Sequence, residues 1–248
     1  MTGGDFEVAF VRAHAWGFYA AVNLPRVRGR HAGEMTGVPD AILARLPAVE
    51  RAHARTLAPA RAVSWAGGRL ALHAALAALA AGGGAAIDAG VAILGDARGA
   101  PVLPAGATGS ISHKDSLAVA IAAVLDGARL VGIDLEELRP GRPDIASRVL
   151  TPAEQAALAG LDEAARRAEV LRRFAAKEAV YKALAPALQR IIGFPEVVTA
   201  RAADGAWRAS FEPRAGEPAF TVEVAELAAP ALDHILLVAR ASPARPSA

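Results

Sequence analysis

The order of its predicted secondary structure constrains the fold of this 248-residue chain more than any single motif. Strand-like runs, a helical stretch and further strand-like runs occur before about residue 129, and the same order returns after it. Mixed blocks of this kind are typical of an α+β protein. We therefore predict two α+β halves of similar make-up, residues 1–129 and 130–248, although no internal repeat is strong enough to prove a duplication.

In the first half, two short strands and one long helix precede a buried apolar strand. Their predicted positions are 7–11 and 17–22 for the short strands, about 61–81 for the helix and 117–125 for the buried strand. Asp126-Gly127 is a tight-turn signal. It predicts that the next segment, 129–135, pairs with the buried strand as a hairpin.

In the second half, a capped helix start is followed by a long helix and then by strands. Thr151 and Glu154 flank a proline at the first helical position, which is typical of a capping box. The long helix is predicted over about 162–184, and the strands at 197–201, 207–212, 220–224 and 234–240. The turn signal Asp204-Gly205 predicts that the first two of these strands pair.

The composition excludes several classes of protein. Hydrophobic residues make up 54% of the chain, which excludes an intrinsically disordered protein. The formal net charge is only +2, so no nucleic-acid partner is indicated. The absence of cysteine excludes a disulfide scaffold, a thiolate zinc site and a cysteine nucleophile. Without a basic N-terminal signal or a clean apolar run of about 20 residues, we expect a cytoplasmic protein without stable membrane insertion.

Two acids in the segment 132–136 (GIDLE) form the first candidate site. Because side chains alternate along a strand, Asp134 and Glu136 share one face while Ile133 and Leu135 share the other. Two adjacent carboxylates repel each other unless a proton or a cation joins them. Mg²⁺ is bound by such oxygen ligands. The alternative is a solvated strand end that happens to carry two acids.

A second candidate lies on the long helix, where Glu178 stands between two of the chain's three lysines, Lys177 and Lys182. Glu178 is predicted to fall on the apolar stripe marked by Phe174 and Tyr181. A carboxylate there is costly to bury unless it is paired or bound to a metal. The alternative is an ordinary surface ion pair between Glu178 and Lys182, four residues apart.

Two further groups carry donors suited to phosphate. The segment 109–116 offers Ser112 and His113 before a buried strand, and its alternative is a polar turn. Arg61 and Arg69 are eight residues apart, so they share a face of the first long helix. The alternative for the arginines is a solvated basic face.

Taken together, five segments in this order and spacing resemble the 4′-phosphopantetheinyl transferase superfamily. The resemblance is to the monomeric type that serves siderophore, polyketide and nonribosomal peptide synthases, and within it to the enterobactin-synthase-activating branch. The segments are 65–69 (WAGGR), 99–106 (GAPVLPAG), 109–113 (GSISH), 132–136 (GIDLE) and 174–184 (FAAKEAVYKAL). The chain departs from the family pattern at Leu103, where the family often has Trp. This departure bears on the details of the adenine pocket and not on the reaction.

The resemblance implies two halves related by pseudo-twofold symmetry, with coenzyme A (CoA) in a cleft between them. It implies that Mg²⁺ is held by Asp134, Glu136 and Glu178. The nucleotide and its phosphates would contact Arg61, Arg69, Ser112 and His113, and the pyrophosphate would contact Lys177 and Lys182.

The implied reaction is the transfer of 4′-phosphopantetheine from CoA to a serine of an acyl, aryl or peptidyl carrier protein. Glu178 would accept the serine proton and Lys182 would stabilise charge on the leaving pyrophosphate. The resemblance also implies a monomer. Two alternatives are a non-catalytic CoA- or nucleotide-binding module and a Mg²⁺-dependent phosphohydrolase.

Overall fold

A computed structural model describes residues 5–25, 37–83, 87–139, 143–229 and 233–244. The chain forms two compact units, Met1–Asp126 and Gly127–Ala248. In each unit a long helix packs against an antiparallel sheet, which confirms the predicted α+β class. From the sequence, residues 138–150 are expected to form a loop and residues 242–248 a frayed C-terminal tail. Of these, 140–142 and 245–248 lie outside the described residues, and Ala146–Val149 forms a short helix within the predicted loop.

The first unit consists of a four-stranded sheet and three helices. Its elements are β1 (Val8–His14), β2 (Gly17–Asn23), α1 (Asp40–Leu43), α2 (Ala48–Thr56), α3 (Pro59–Ala81), β3 (Ala107–Lys114) and β4 (Leu117–Val124). The strand order is β1-β2-β4-β3, and all neighbouring strands are antiparallel. Helix α3 packs on the face of this sheet, where Leu72 and Leu76 are fully buried.

Two adjacent glycines allow α3 to approach its neighbours closely. A Cβ atom at Gly67 would lie 2.2 Å from Cδ2 of Leu24, and one at Gly68 would lie 2.8 Å from Cγ2 of Ile111. Both distances are shorter than carbon atoms tolerate, so a side chain at either position would force Leu24 or Ile111 to shift. The two glycines therefore make room on α3 for these two side chains.

The second unit is built around the 26-residue helix α6. Its elements are β5 (Leu130–Glu137), α4 (Ala146–Val149), α5 (Pro152–Ala156), α6 (Glu163–Leu188), a 3₁₀ helix (Phe194–Glu196), β6 (Val197–Arg201), β7 (Trp207–Phe211), β8 (Phe220–Leu227) and β9 (His234–Pro243). Strands β5, β9 and β8 form one antiparallel sheet in that order, and β6 pairs with β7. Helix α6 packs on β5 and β9.

The helix starts of the second unit follow the sequence signals. The Thr151 hydroxyl accepts a hydrogen bond from the Glu154 N–H, and the Glu154 carboxylate accepts one from the Thr151 N–H, which completes the predicted capping box. Asp162 caps α6 by accepting from the N–H of Ala165. Pairing of β6 with β7 across Asp204-Gly205 is likewise confirmed.

Two predictions about local structure are wrong. Strand β5 does not form a hairpin with β4, because β5 pairs with β9 and β4 pairs with β2 and β3. The buried stripe of α6 is also displaced around the helix: Ala179, Val180 and Ala183 are fully buried, whereas Phe174, Glu178 and Tyr181 are only half-buried. Glu178 therefore lies at the edge of the buried face.

Among the helices in the described ranges, α3 is the one long and apolar enough to cross a membrane by length and composition. Of its most apolar 18-residue window, 72% is buried inside the structure. Such burial is typical of a helix at the centre of a protein core.

Candidate functional site

Asp134 and Glu136 lie on the face of β5 that meets α6. The face is defined by Gly132, since a Cβ atom there would lie 2.0 Å from the carbonyl oxygen of Ala179 on α6. Alternation along the strand places Asp134 and Glu136 on this same face. Both are buried, with 4% and 2% of their surface exposed. Because Gly132 has no side chain, α6 can approach β5 closely at this point.

Lys182 on α6 contacts the first of these two acids. Its ammonium nitrogen lies 2.6 Å from Oδ1 of Asp134 and donates a longer hydrogen bond of 3.3 Å to the carbonyl oxygen of Ile133. The Lys182 side chain is 22% exposed and that of Asp134 only 5%. A charge-assisted hydrogen bond of this length offsets part of the cost of burying the carboxylate.

Glu178 stands one helical turn before Lys182 on α6 and is half-buried. Residues four positions apart share a helix face, so Glu178 and Lys182 lie on the same side of α6. The structure therefore brings Asp134 and Lys182 into contact and leaves Glu178 in reach of solvent.

The three predicted metal ligands have suitable chemistry but are not gathered into a metal-binding group. Carboxylate oxygens are the ligands that Mg²⁺ prefers. Within the described residues, however, no three histidine, aspartate or glutamate side chains are arranged to hold one ion. The ammonium group of Lys182 contacts Asp134, one of these three acids.

Lys177 does not fit its predicted role at a pyrophosphate. Its ammonium nitrogen lies 2.7 Å from Oε2 of Glu154 and donates to the carbonyl oxygens of Val149 and Phe194. The Lys177 side chain is only 1% exposed. An ammonium group has three donors, and all three are used inside the second unit. Lys177 therefore joins α4, α5 and the 3₁₀ helix to α6.

The carboxylate that faces Lys177 is held ionised by its surroundings. Burial alone would raise the pKa of Glu154, but hydrogen bonds from Lys177, Thr151 and Thr199 lower it. The hydroxyl and the N–H of Thr199 both donate to Oε1 of Glu154. Glu154 thus combines the capping box with a buried ion pair, a role that the sequence alone did not indicate.

In the first unit, the structure brings Arg61 and His113 together. Nη1 of Arg61 lies 3.2 Å from Nε2 of His113. Because a guanidinium group only donates, Nε2 of His113 accepts in this contact and carries no proton. Arg61 is exposed, whereas Ser112 is buried and points to the opposite side of β3 from His113.

Arg69 lies deeper in the same unit. Its Nε donates a 2.7 Å hydrogen bond to the carbonyl oxygen of Ile93, and its guanidinium carbon lies 4.7 Å above the ring of Trp65. Burial lowers the pKa of Arg69 from its ordinary value. Arg69 remains a cation, because an arginine is protonated in proteins.

The sequence interpretation missed a contact between the buried Glu50 and the half-buried His73 near Arg69. Oε1 of Glu50 lies 2.9 Å from Nε2 of His73 and also accepts a hydrogen bond from the N–H of Ile93. From sequence, His73 is expected to be a packed or capping side chain. Glu50 and His73 are 23 positions apart, so no local spacing could reveal the contact.

Two family models match this chain. The model described as the 4′-phosphopantetheinyl transferase superfamily matches residues 130–237. The model described as the 4′-phosphopantetheinyl transferase N-terminal domain matches residues 49–123.

Curated relatives carry the same description. The chain is 37% identical over 116 residues to 4′-phosphopantetheinyl transferase Npt of Nocardia iowensis, which is 46% of this chain and 51% of the relative. It is 35% identical over 165 residues to 4′-phosphopantetheinyl transferase Svp of Streptomyces mobaraensis, which is 65% of this chain and 63% of the relative. The matches thus span between half and two thirds of the relatives' length.

Solved structures show a weaker likeness. Holo-[acyl-carrier-protein] synthase of Thermotoga maritima has a TM-score of 0.38 at 23% identity, over 46% of this chain and 63% of that one. An ACPS–CoA complex from Chronobacterium ammoniagenes has a TM-score of 0.37 at 18% identity, over 47% of this chain and 98% of that one.

With both family models matched in order along the chain, this protein belongs to the 4′-phosphopantetheinyl transferase superfamily. The resemblance stated from sequence is thereby confirmed at the level of the superfamily. Its closer placement beside the enterobactin-synthase-activating branch stays a prediction.

Proposed function

We propose that this protein transfers 4′-phosphopantetheine from CoA to a serine of an apo carrier protein. The observation that carries the proposal is the meeting of β5 and α6, where Lys182 contacts Asp134 beside the buried Glu136. The superfamily model matches residues 130–237, which include this cluster of two acids and a lysine, and this supports a role for the cluster in phosphopantetheine transfer.

The proposed reaction is a single displacement at the β-phosphorus of CoA. The serine oxygen forms a bond to this phosphorus while the bond to the oxygen of adenosine 3′,5′-bisphosphate breaks. Glu178, half-buried and one turn from Lys182, accepts the serine proton. Lys182 stabilises the negative charge that develops on the leaving pyrophosphate oxygen. To do so, the ammonium group of Lys182 leaves Asp134 and contacts the phosphate of CoA instead.

Binding of the nucleotide is assigned to residues of the first unit. Arg61 and Arg69 supply cationic donors, and His113 supplies a further polar atom on the side of Arg61. The contact of Ser112, which points to the opposite side of β3, stays a prediction from sequence. The contact between Arg61 and His113 supports this assignment, because it holds a guanidinium group and an imidazole side by side at the protein surface.

Mg²⁺ dependence is part of the proposal. Asp134, Glu136 and Glu178 have the oxygen donors to hold the ion, which would supply charge stabilisation to the pyrophosphate. Because Lys182 already contacts Asp134, a bound Mg²⁺ would compete with Lys182 for this carboxylate. Calorimetric titration with Mg²⁺, with and without CoA, measures whether the ion binds.

The proposed partners are acyl, aryl or peptidyl carrier proteins, whose serine accepts the group. The loop 138–150 and the following helix α5 are proposed to dock the carrier, since Arg148 on α4 is exposed and basic. Reversal of charge in Arg148→Glu should raise the carrier KM; an unchanged KM would count against this surface. We further propose that the protein is cytoplasmic and monomeric. Light scattering in solution tests the monomeric state.

Release of adenosine 3′,5′-bisphosphate, followed by chromatography, tests the proposed reaction. The protein is incubated with CoA and Mg²⁺, with or without an apo carrier protein. Release that requires the carrier supports the transferase. Release without any carrier would indicate a phosphohydrolase, and CoA binding without release would indicate a non-catalytic binding module.

A further inference from the structure

Three ionisable side chains hold the irregular segment 87–94, which follows α3. Glu50 of α2 accepts a hydrogen bond of 2.5 Å from the N–H of Ile93, and Arg69 of α3 donates one of 2.7 Å to the carbonyl oxygen of the same residue. His73 of α3 contacts the carbonyl oxygen of Ala89 through Nδ1 at 3.0 Å. Both polar backbone groups of Ile93 are therefore engaged by charged side chains.

The contact between Glu50 and His73 has to contain a proton. Nδ1 of His73 faces a carbonyl oxygen, which only accepts, so Nδ1 carries a hydrogen. Nε2 faces both carboxylate oxygens of Glu50, at 2.9 and 3.1 Å. A proton must lie between Nε2 and the carboxylate, because two lone pairs at this distance repel each other. The pair is therefore an imidazolium with a carboxylate, or an imidazole with a carboxylic acid.

The charges around this pair favour the imidazolium form. Burial alone would lower the pKa of His73, but its hydrogen bond and charge interaction with Glu50 raise it above the ordinary value. Arg69, on the same helix, opposes the proton. The Asp88 carboxylate, in the segment 87–94, accepts a hydrogen bond from the N–H of Gly90. Glu50 of α2 is thus the acid that retains the proton on His73.

Ile93 links this pair to the guanidinium group of Arg69. The hydrogen bond from Nε to Ile93 and the contact of the guanidinium carbon with the Trp65 ring together constrain the guanidinium group. Movement of Ile93 would release one of these two constraints. The direction of the terminal amino groups of Arg69 therefore depends on whether Glu50 and His73 hold Ile93 in place.

We propose that Glu50 and His73 are positioning residues that orient Arg69 for CoA through their shared proton. The inference rests on the proposed function, in which Arg69 contacts the nucleotide or its phosphates. When His73 loses one of its two ring protons at high pH, the single proton that remains cannot serve both Glu50 and the carbonyl oxygen of Ala89. One of the two contacts is then lost, and the segment 87–94 that contains Ile93 is held less tightly. CoA affinity then falls, whereas the steps at Glu178 and Lys182 are unaffected.

Hydrogen exchange at the Ile93 amide and CoA affinity together test this inference. The variants are Glu50→Gln and His73→Gln, and the control is Asp40→Asn, which removes a carboxylate from an exposed ion pair of the same unit. Loss of a charge-assisted hydrogen bond should lower the protection factor of Ile93 and raise the KM for CoA about tenfold each. The kcat and the carrier KM should change less than about twofold, because the bond lost does not touch the reacting atoms.

The wild-type protein provides a test that needs no variant. Its Ile93 protection factor and its CoA affinity should fall together as the pH rises through the pKa of His73, and His73→Gln should remove this dependence. Unchanged protection in Glu50→Gln would overturn the inference. Lower protection with unchanged CoA affinity would also overturn it. A wild-type protein that binds no CoA would instead refute the proposed function, while the protection factors would still show whether Glu50 holds Ile93.

Discussion

The ammonium nitrogen of Lys182 lies 2.6 Å from Oδ1 of Asp134, so α6 supplies the cation for an acid buried on β5. Asp134 and Glu136 are two buried carboxylates on one strand face, and their like charges repel each other. The ammonium group of Lys182 offsets part of this repulsion. Lys182 therefore has a structural role in addition to the catalytic role proposed for it.

Replacement of this lysine should expose the competition between Lys182 and Mg²⁺. Lys182→Met is expected to lower the free energy of unfolding by about 1–3 kcal/mol in the absence of Mg²⁺, because the buried carboxylate of Asp134 loses a charged hydrogen-bond donor. Mg²⁺ should then raise the melting temperature of this variant more than that of the wild type. Lys114→Met, in the first unit, is the control. Equal effects of Mg²⁺ on all three proteins would contradict a site at Asp134.

Gly132 is expected to tolerate no side chain. The Cβ atom of Gly132→Ala would lie 2.0 Å from the carbonyl oxygen of Ala179, so β5 and α6 would have to move apart. Overpacking of this kind costs about 1–3 kcal/mol of stability. Gly90→Ala is the matched control, because its Cβ atom meets nothing closer than 3.4 Å. Denaturant unfolding compares the two, and equal stabilities would be inconsistent with the close approach.

The buried pair of Lys177 and Glu154 should behave as a structural ion pair. Lys177→Met leaves Glu154 buried without its cation, which typically costs about 3–5 kcal/mol. The double variant Lys177→Met with Glu154→Leu should recover part of this loss, as a double-mutant cycle would measure. CoA affinity should remain close to that of the wild type in the folded double variant. A large loss of CoA affinity in a double variant of full stability would instead support the predicted contact of Lys177 with the pyrophosphate.

Resistance to acid should depend on Arg190. Its hydrogen bonds lower the pKa of both Glu196 and Glu217 to about 2, below their ordinary value of 4.5. A lowered carboxylate pKa adds stability above the ordinary pKa, and this stability is lost as the pH falls through the lowered value. Arg190→Leu should therefore shift acid unfolding to higher pH, which circular dichroism can follow. An unchanged midpoint would show that these ion pairs contribute little to stability.

Local signals in the sequence predicted the elements well but not all of their pairings. The capping box at Thr151 and the start of α6 after Asp162 depend on neighbouring residues, and both are confirmed. The helix runs to Leu188, four residues beyond its predicted end at about 184. Gly127 does adopt a positive φ of 62°, as a turn requires, yet the strand that follows pairs with β9. Strand β9 begins at His234, and a signal at residues 126–127 carries no information about so distant a partner.

In the candidate site, too, local features could be predicted from the sequence, whereas contacts between different elements could not. The alternation of Asp134 and Glu136 on one strand face follows from strand geometry alone. Lys177 stands beside Glu178 in the sequence, but neighbouring helical residues are turned by about 100° around the axis. Lys177 consequently faces Glu154 on the buried side of α6. The contact of Glu50 with His73 joins two helices, so it could not be predicted from either helix alone.

Intact-mass spectrometry of an apo carrier protein tests the proposed transfer most directly. The carrier is incubated with the protein, CoA and Mg²⁺, and in parallel with Glu178→Gln. We predict that the carrier gains the mass of one phosphopantetheine group on a serine with the wild type and gains none with the variant, although the variant still binds CoA. No mass gain across acyl, aryl and peptidyl carriers would contradict the transferase, and full transfer by Glu178→Gln would contradict the role of Glu178.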